Sequence, residues 1–289
     1  MPQATSDRGR RRRYGHRLPR GGSTQRPPCC PQGREGRAVR TSSSRREGIK
    51  VAHELKYQNY LELDTLLSLQ KPRAAGSDAL KSTVLSEQFF IIAHQASELW
   101  LRQIIADLEA VVDAFTTTDD TSNAEWIVDL LQRTAALVGV LHTQLTALDR
   151  LPLRDFALFR QLLGTASGAQ SGQFHRLAHL IGDAEHEGPL YESFSAWVAR
   201  SGHSVSDLAR RGVDAHVYYR IIEALLDVGN GYWRWQVSHV SLVTKVMGSH
   251  AGTGGSTGAD YLLSRCTLPF AELRELRGQA HVGLSVATS

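Results

Sequence analysis

A chain of 289 residues with 42% hydrophobic side chains has enough apolar mass for one large domain or two small ones, and it holds no run of 18 apolar residues that would cross a membrane. Its net charge of +4 is unevenly held: residues 1–49 carry 13 arginines against Asp7, Glu35 and Glu47, which leaves 20 cationic and 26 anionic side chains for the rest. The body is therefore mildly acidic, which argues against nucleic acid as its partner, and the pI of 9.1 belongs to the tail.

Residues 1–49 place Pro19, Pro27, Pro28 and Pro31 among Gly, Ser and Arg with no apolar periodicity, the composition of a disordered tail; residues 50–289 then form the folded domain. The tail lacks the apolar stretch of a secretory signal, so a soluble, cytoplasmic protein is expected. Basic tails can serve nucleic acid, anionic lipid or organelle targeting; the plainest reading gives this one no part in the chemistry of the domain. Cys29 and Cys30 lie in the tail and Cys266 stands alone in the body, which provides neither a disulfide framework nor a CxxC metal site.

From about Ala52 apolar residues recur with the 3.6-residue period of helices. "NYLELDTLLSLQ" (59–70) reads as one helix. "LSEQFFIIAHQASELWLRQIIADLEAVVDAF" (85–115) reads as a long one, apolar on nearly all sides around its middle, as a buried helix is. Further helices are predicted over 123–149, 154–164, 172–182, 189–200, 214–227 and 229–248, separated by short Gly, Pro, Asp or Ser punctuation. No stretch alternates as a strand does and none repeats, so the fold class is all-α. After the last helix, "AGTGGSTG" (251–258) has the glycine density of a phosphate loop. Ala259 and Asp260 stand where Lys and Ser or Thr are needed, however, and a helix rather than a strand precedes it. Its ligand is something other than a nucleotide.

In a helical bundle the chemistry comes from polar side chains that point into a core pocket. Two histidines on apolar helix faces meet that description. His94 shares its face with Phe90 and Glu98; His239 shares its own with Trp235, Leu242, Val243 and Val246. A histidine so placed is commonly a hydrogen-bonded core residue, and neither one alone assigns a function. Spacing removes several alternatives, since the chain has no paired ExxH of a di-iron bundle, no HExxH and no GxSxG. His175 and His179 are an i, i+4 pair, but in a polar stretch that reads as a solvated helix face. A buried helix with one histidine and little else ionisable offers what haem iron asks of a protein, one strong donor in an apolar slot.

Taken in order, "YQNYLELDTLLSLQKP", "FFIIAHQASELWLRQI", "FRQLLGTASGAQS", "HVSLVTKVMG" and "GTGGSTG" resemble the tryptophan 2,3-dioxygenase family, over a span from about Tyr57 to Arg277, where "YLL…LPFAELRELR" is similar to the family's C-terminal end. The resemblance implies an all-α helical bundle of the tryptophan/indoleamine dioxygenase type, with haem b, one per subunit, held between core helices, O2 as co-substrate and an intertwined homotetramer. It implies His239 as the proximal iron ligand and His94 as the distal histidine that accepts a hydrogen bond from the indole N–H. Arg160 matches the clamp for the substrate carboxylate, a task suited to a two-pronged guanidinium. Thr253 matches the threonine that holds the amino-acid end, within a glycine loop acting as a lid. Phe90 and Phe156 fall on the substrate pocket, Ser167 and Gly168 on the cofactor, and Tyr57, Tyr60 and Leu61 on residues that reach a neighbouring subunit's pocket. The implied activity is cleavage of the indole C2=C3 bond of L-tryptophan to give N-formyl-L-kynurenine. Three positions depart from the family pattern: Phe156 replaces a tyrosine, Ala169 an aromatic residue and Ser238 an arginine. They leave a second reading open, a mono-oxygenase of the same superfamily that converts a substituted tryptophan such as β-methyltryptophan to an oxindole.

Overall fold

The computed structural model describes residues 55–118, 120–183, 185–248, 250 and 258–287, with side chains to residue 279. The tail expected at 1–49 lies outside the described residues. Eleven α-helices occur among them: α1 (Tyr57–Tyr60), α2 (Leu63–Leu66), α3 (Lys81–Thr117), α4 (Ala124–Ala147), α5 (Leu153–Arg160), α6 (Gly172–Ile181), α7 (Pro189–Arg200), α8 (Val205–Arg211), α9 (Val217–Met247), α10 (Ala259–Leu263) and α11 (Ala271–Ala287). Among the described residues no strand forms, and the one β-type pairing is an isolated bridge between Gly182 and Glu187. The fold is all-α, as the periodicity requires.

The main core follows from the apolar stripes. Leu101, Ile104, Leu108, Val111 and Phe115 recur every three or four residues along the second half of α3 and are fully buried. They pack with Ile127, Leu131 and Val138 of α4, Phe194 and Trp197 of α7, and Ile221, Leu225 and Val228 of α9. Asp107, inside this core, is held by both prongs of Arg133, Nε at 2.8 Å and Nη2 at 2.6 Å, which fixes α4 against α3. A smaller cluster of Ala74, Leu151, Phe156 and Phe159 forms around α5, with Phe89 and Phe90 of α3 packed on it. Buried Asp155 joins α5 to the first turns of α3 by accepting hydrogen bonds from Thr83 (3.0 Å), Ser86 (2.9 Å) and Ser82 (3.4 Å).

Several expectations are corrected. The single helix over 59–70 is two short ones, because Glu62 adopts left-handed backbone (φ 50°) between α1 and α2. Tyr57, Tyr60, Leu67 and Leu69 around that kink are exposed, so nothing in this chain rewards the cost of a longer helix. The segment 154–164 is α5 followed by a 3-10 turn over Gln161–Leu163, ended by Gly164 at φ 59°. The break expected between 227 and 229 is absent, and α9 runs unbroken through Gly229 and Gly231. Those glycines serve close approach rather than punctuation: a Cβ on Gly229 would lie 3.0 Å from the Phe270 ring, and one on Gly231 3.2 Å from Val138 Cγ1. Helix α3 is not buried on all sides; Ile92, Leu99 and Trp100 form an exposed apolar face. Helices α8, α10 and α11 were not signalled, being short or polar on most faces.

Candidate functional site

Between the N-terminal half of α3 and the C-terminal half of α9 lies a cavity in which the centres of water molecules can occupy about 360 Å³. Each helix presents one stripe to it. Phe90, Ala93, His94, Ser97 and Glu98 come from α3, and Tyr232, Trp235, Gln236, His239, Val243 and Val246 from α9, spacings of three and four that put both histidines on the same wall system. Gln144 and Leu145 of α4, Leu148 just after it, Phe156 and Arg160 of α5, the turn Ala166–Ala169, and Phe174 of α6 complete most of the lining. The end of α10 adds Tyr261 and Leu262, and the segment after it Arg265 and Cys266.

Geometry fixes the state of His94. Its Nδ1 lies 2.8 Å from the Phe90 carbonyl oxygen, which can only accept, so Nδ1 carries the proton and donates. In the neutral ring Nε2 is then the acceptor. The ring is exposed where it lines the cavity, while the protein packed around the rest of it desolvates it and lowers its pKa, opposed by its own hydrogen bond to Phe90 and by Glu98. His239 is pushed down to about 4, first by burial and then by the nearby His94. Both imidazoles are neutral at neutral pH, and a neutral imidazole keeps the lone pair that a metal ligand or a hydrogen-bond acceptor needs.

Aromatic packing sets the walls. The Phe90 ring lies tilted against that of His94, with centroids 4.0 Å apart, and against Phe159 at 5.4 Å, while Phe156 meets Phe159 edge-on at 5.4 Å. Phe156 thus closes the cavity with a hydrocarbon edge where a hydroxyl is usual in the resemblance. On the α9 side Trp235 lies parallel to Phe174 at 5.0 Å and to His239 at 5.4 Å. Below His94, Gln144 of α4 donates to the Ala93 carbonyl and, at 3.2 Å, to Ser97 Oγ, which anchors the turn of α3 that bears the histidine. Glu98 is engaged by Gln173 Nε2 at 2.7 Å.

The cavity therefore gathers Phe90, His94, Phe156, Arg160, Ser167, Gly168 and His239, seven residues drawn from four separate stretches of sequence. It does not gather Tyr57, Tyr60 or Leu61, which are exposed on and beside α1. Thr253 lies outside the described residues, although Gly258, which ends its loop, lines the cavity. Of the departures, Ala169 is on the wall, and Ser238 faces away to share a 2.9 Å hydrogen bond with His142 Nε2. His175 and His179 are exposed on α6, His175 also bordering the cavity, and among the described residues no three His, Cys, Asp or Glu side chains cluster as ligands for a bare ion. Sequence reasoning passed over Gln144, Tyr232 and Arg265. Gln144 lies on a helix with no other polar cavity residue, and the other two sit where pattern gives no sign of which way they point.

Haem fits this donor set: one neutral imidazole on α9 in a cavity whose walls include the apolar Leu145, Leu148, Leu242 and Val243. The comparisons agree with the geometry. A family model described as tryptophan 2,3-dioxygenase matches residues 43–195 and 207–279, which includes every wall of the cavity. The chain is 27% identical over 267 residues to a tryptophan 2,3-dioxygenase of Herpetosiphon aurantiacus, covering 78% of this chain and 99% of the relative. It is 29% identical over 278 residues to that of Ruegeria pomeroyi (80% and 96%), and 30% identical over 268 residues to that of Xanthomonas euvesicatoria pv. vesicatoria (77% and 87%). With the two histidines, the arginine and the aromatic wall all inside a match of that length, the chain belongs to the tryptophan 2,3-dioxygenase family.

Proposed function

We propose that this chain is a haem-dependent dioxygenase that opens the indole ring of L-tryptophan with O2 to give N-formyl-L-kynurenine. The observation that carries the reading is one cavity with two neutral histidines on different helices and a guanidinium on its wall. His239 would hold the iron of haem b, and the haem, when bound, supplies the oxygen chemistry. His94, its Nδ1 proton committed to Phe90, offers Nε2 to the indole N–H. That hydrogen bond orients the ring and draws electron density toward the bond that reacts, while Phe90 and Phe156 exclude water beside it. Arg160 takes the substrate carboxylate, Thr253 the amino-acid end, and Ser167 and Gly168 border the cofactor.

A homotetramer is part of the same reading. The exposed apolar face of Ile92, Leu99 and Trp100 on α3, and the exposed Tyr57, Tyr60 and Leu61, are surfaces that a second copy would cover. Among the described residues no helix is long and apolar enough to cross a membrane. A cytoplasmic location and a tail at 1–49 dispensable to the chemistry complete the proposal.

Phe156 and Ala169 favour the second reading, because a lost hydroxyl and a lost aromatic leave room beside the substrate's side chain. One methyl group discriminates by only about 1–3 kcal/mol, so binding does not separate the two readings and the product does. The reduced, haem-loaded chain incubated under 18O2 with L-tryptophan, and separately with β-methyltryptophan, is expected to give a kynurenine-type product from L-tryptophan with two labelled oxygens. One labelled oxygen in an oxindole would replace the first reading by the second. A chain that takes up no haem would end both.

A further inference from the structure

The cavity is lined by two arginines, Arg160 and Arg265, and the proposed function uses only Arg160. Arg265 follows α10 and meets the cavity beside α9, where its carbonyl oxygen accepts Gln236 Nε2 at 3.1 Å, three residues before His239. Its guanidinium lies over the Tyr261 ring at 5.6 Å. Tyr232, buried one turn before Gln236, has a hydroxyl close enough to this guanidinium to be drawn back from the rise that burial imposes, the phenol standing at about 12. Among the described residues no carboxylate pairs with Arg265, and the one acid on the cavity wall, Glu98, is engaged by Gln173. Arg265 is also solvent-exposed, so it stands where the cavity meets water. A permanent cation with no acid beside it, at the rim of an apolar slot, is matched by an anion that enters with the occupant.

Two occupants bring carboxylates. An amino-acid substrate has one, and Arg160 on α5 is there to take it. Haem b has two propionates on one edge of an otherwise apolar disc, so a disc held in the slot would present its carboxylates at the rim. We propose that Arg265 is a second carboxylate-binding group of this cavity and that it holds a propionate of the haem, with the Tyr232 hydroxyl as its neighbour, rather than the carboxylate of the substrate. The inference rests on the haem-binding reading above and adds to it the residue that orients the disc about the His239 axis.

The test is haem release from the full chain without substrate. Wild type, Arg265→Gln and Arg265→Lys are each loaded with haem b or with haem dimethyl ester, whose carboxylates are masked, and transfer to excess apomyoglobin is followed in the visible spectrum. Arg265→Gln is expected to release haem b about tenfold faster than wild type, the size of one charge-assisted contact. Arg265→Lys should recover part of that difference, and all three proteins should release the dimethyl ester at one rate. Equal haem b release from wild type and Arg265→Gln would overturn the proposal. So would a difference that survives esterification, which would mean a packing effect. If Arg265→Gln left haem release unchanged but raised KM for tryptophan and not for tryptamine, the carboxylate would be the substrate's. Wild type that binds no haem would overturn the parent reading, a failure visible before any variant is made.

Discussion

His94 Nδ1 donates to the carbonyl oxygen of Phe90, one turn earlier on the same helix, at 2.8 Å. A backbone carbonyl cannot rotate away, so the tautomer of His94 is set by α3 itself. The acceptor nitrogen is therefore present before any substrate arrives. His94→Ala is expected to lower kcat/KM for L-tryptophan by about tenfold or more, the loss of one directed hydrogen bond. Against 1-methyltryptophan, which has no N–H to give, the same substitution should cost much less. Equal losses for the two compounds would show that His94 does not meet the indole nitrogen.

Replacing His239 removes the one imidazole on the α9 wall. His239→Ala should lose haem, read as the ratio of Soret to protein absorbance, while far-ultraviolet circular dichroism stays near wild type. The fold should survive because the main core of Leu101, Phe115, Trp197 and Leu225 is built without His239. Full haem retention with an unchanged spectrum would remove His239 from its assigned place.

Arg160 lines the cavity at the last residue of α5. Charge-assisted hydrogen bonds contribute about 1.5–3 kcal/mol each, so Arg160→Ala should reduce kcat/KM for tryptophan by about tenfold or more. Tryptamine lacks the carboxylate and should lose little. Matching losses would make Arg160 a structural residue.

Asp155 is buried and accepts three hydroxyl hydrogen bonds from the first turns of α3. Asp155→Ala leaves those hydroxyls without their acceptor and should destabilise the chain by about 2–4 kcal/mol, seen as a lower midpoint in urea. Asp155→Asn, which keeps one acceptor oxygen, should fall between. Because Phe156 and Arg160 ride on the same helix, the alanine variant should also raise KM for tryptophan.

The family match begins at residue 43. Removing residues 1–42 should therefore leave haem content, turnover and oligomeric mass unchanged. A tenfold loss of turnover, or a change of mass in light scattering beyond that of the deleted segment, would give the arginine-rich tail a part in the domain.

Much of this architecture was legible in the sequence because it is helical and long. A 3.6-residue stripe repeated over eight or nine turns, as in α3, leaves little ambiguity about its type. What escaped was whatever depended on a partner far along the chain. From the sequence alone one helix ends at 227 and another starts at 229; the contacts of Gly229 with the Phe270 ring and of Gly231 with Val138, brought alongside by the fold, explain why one helix runs through this glycine-containing stretch that local propensity penalises. The kink at Glu62 escaped for the opposite reason, since the apolar pattern of 59–70 has nothing in this chain to pack on. In the cavity the two histidines stood out by being polar on apolar faces. Gln144 and Arg265 did not, because a polar residue on a partly solvated helix or a turn looks the same whether it faces a cavity or the solvent.

The unbroken run of α9 makes it a lever. Gly229, wedged against Phe270, and His239 are ten residues apart on one rigid rod, about 15 Å at 1.5 Å per residue. A tilt of about 5° at the glycine end, the sort of adjustment a single added methyl group would demand, displaces the imidazole by about 1.3 Å over that distance. A shift of that size is enough to misalign reacting groups. Substitutions at the tight crossing with Phe270, ten residues from His239, should thus surface as a displaced imidazole at the far end of the rod, which transmits the shift because α9 has no break to absorb it.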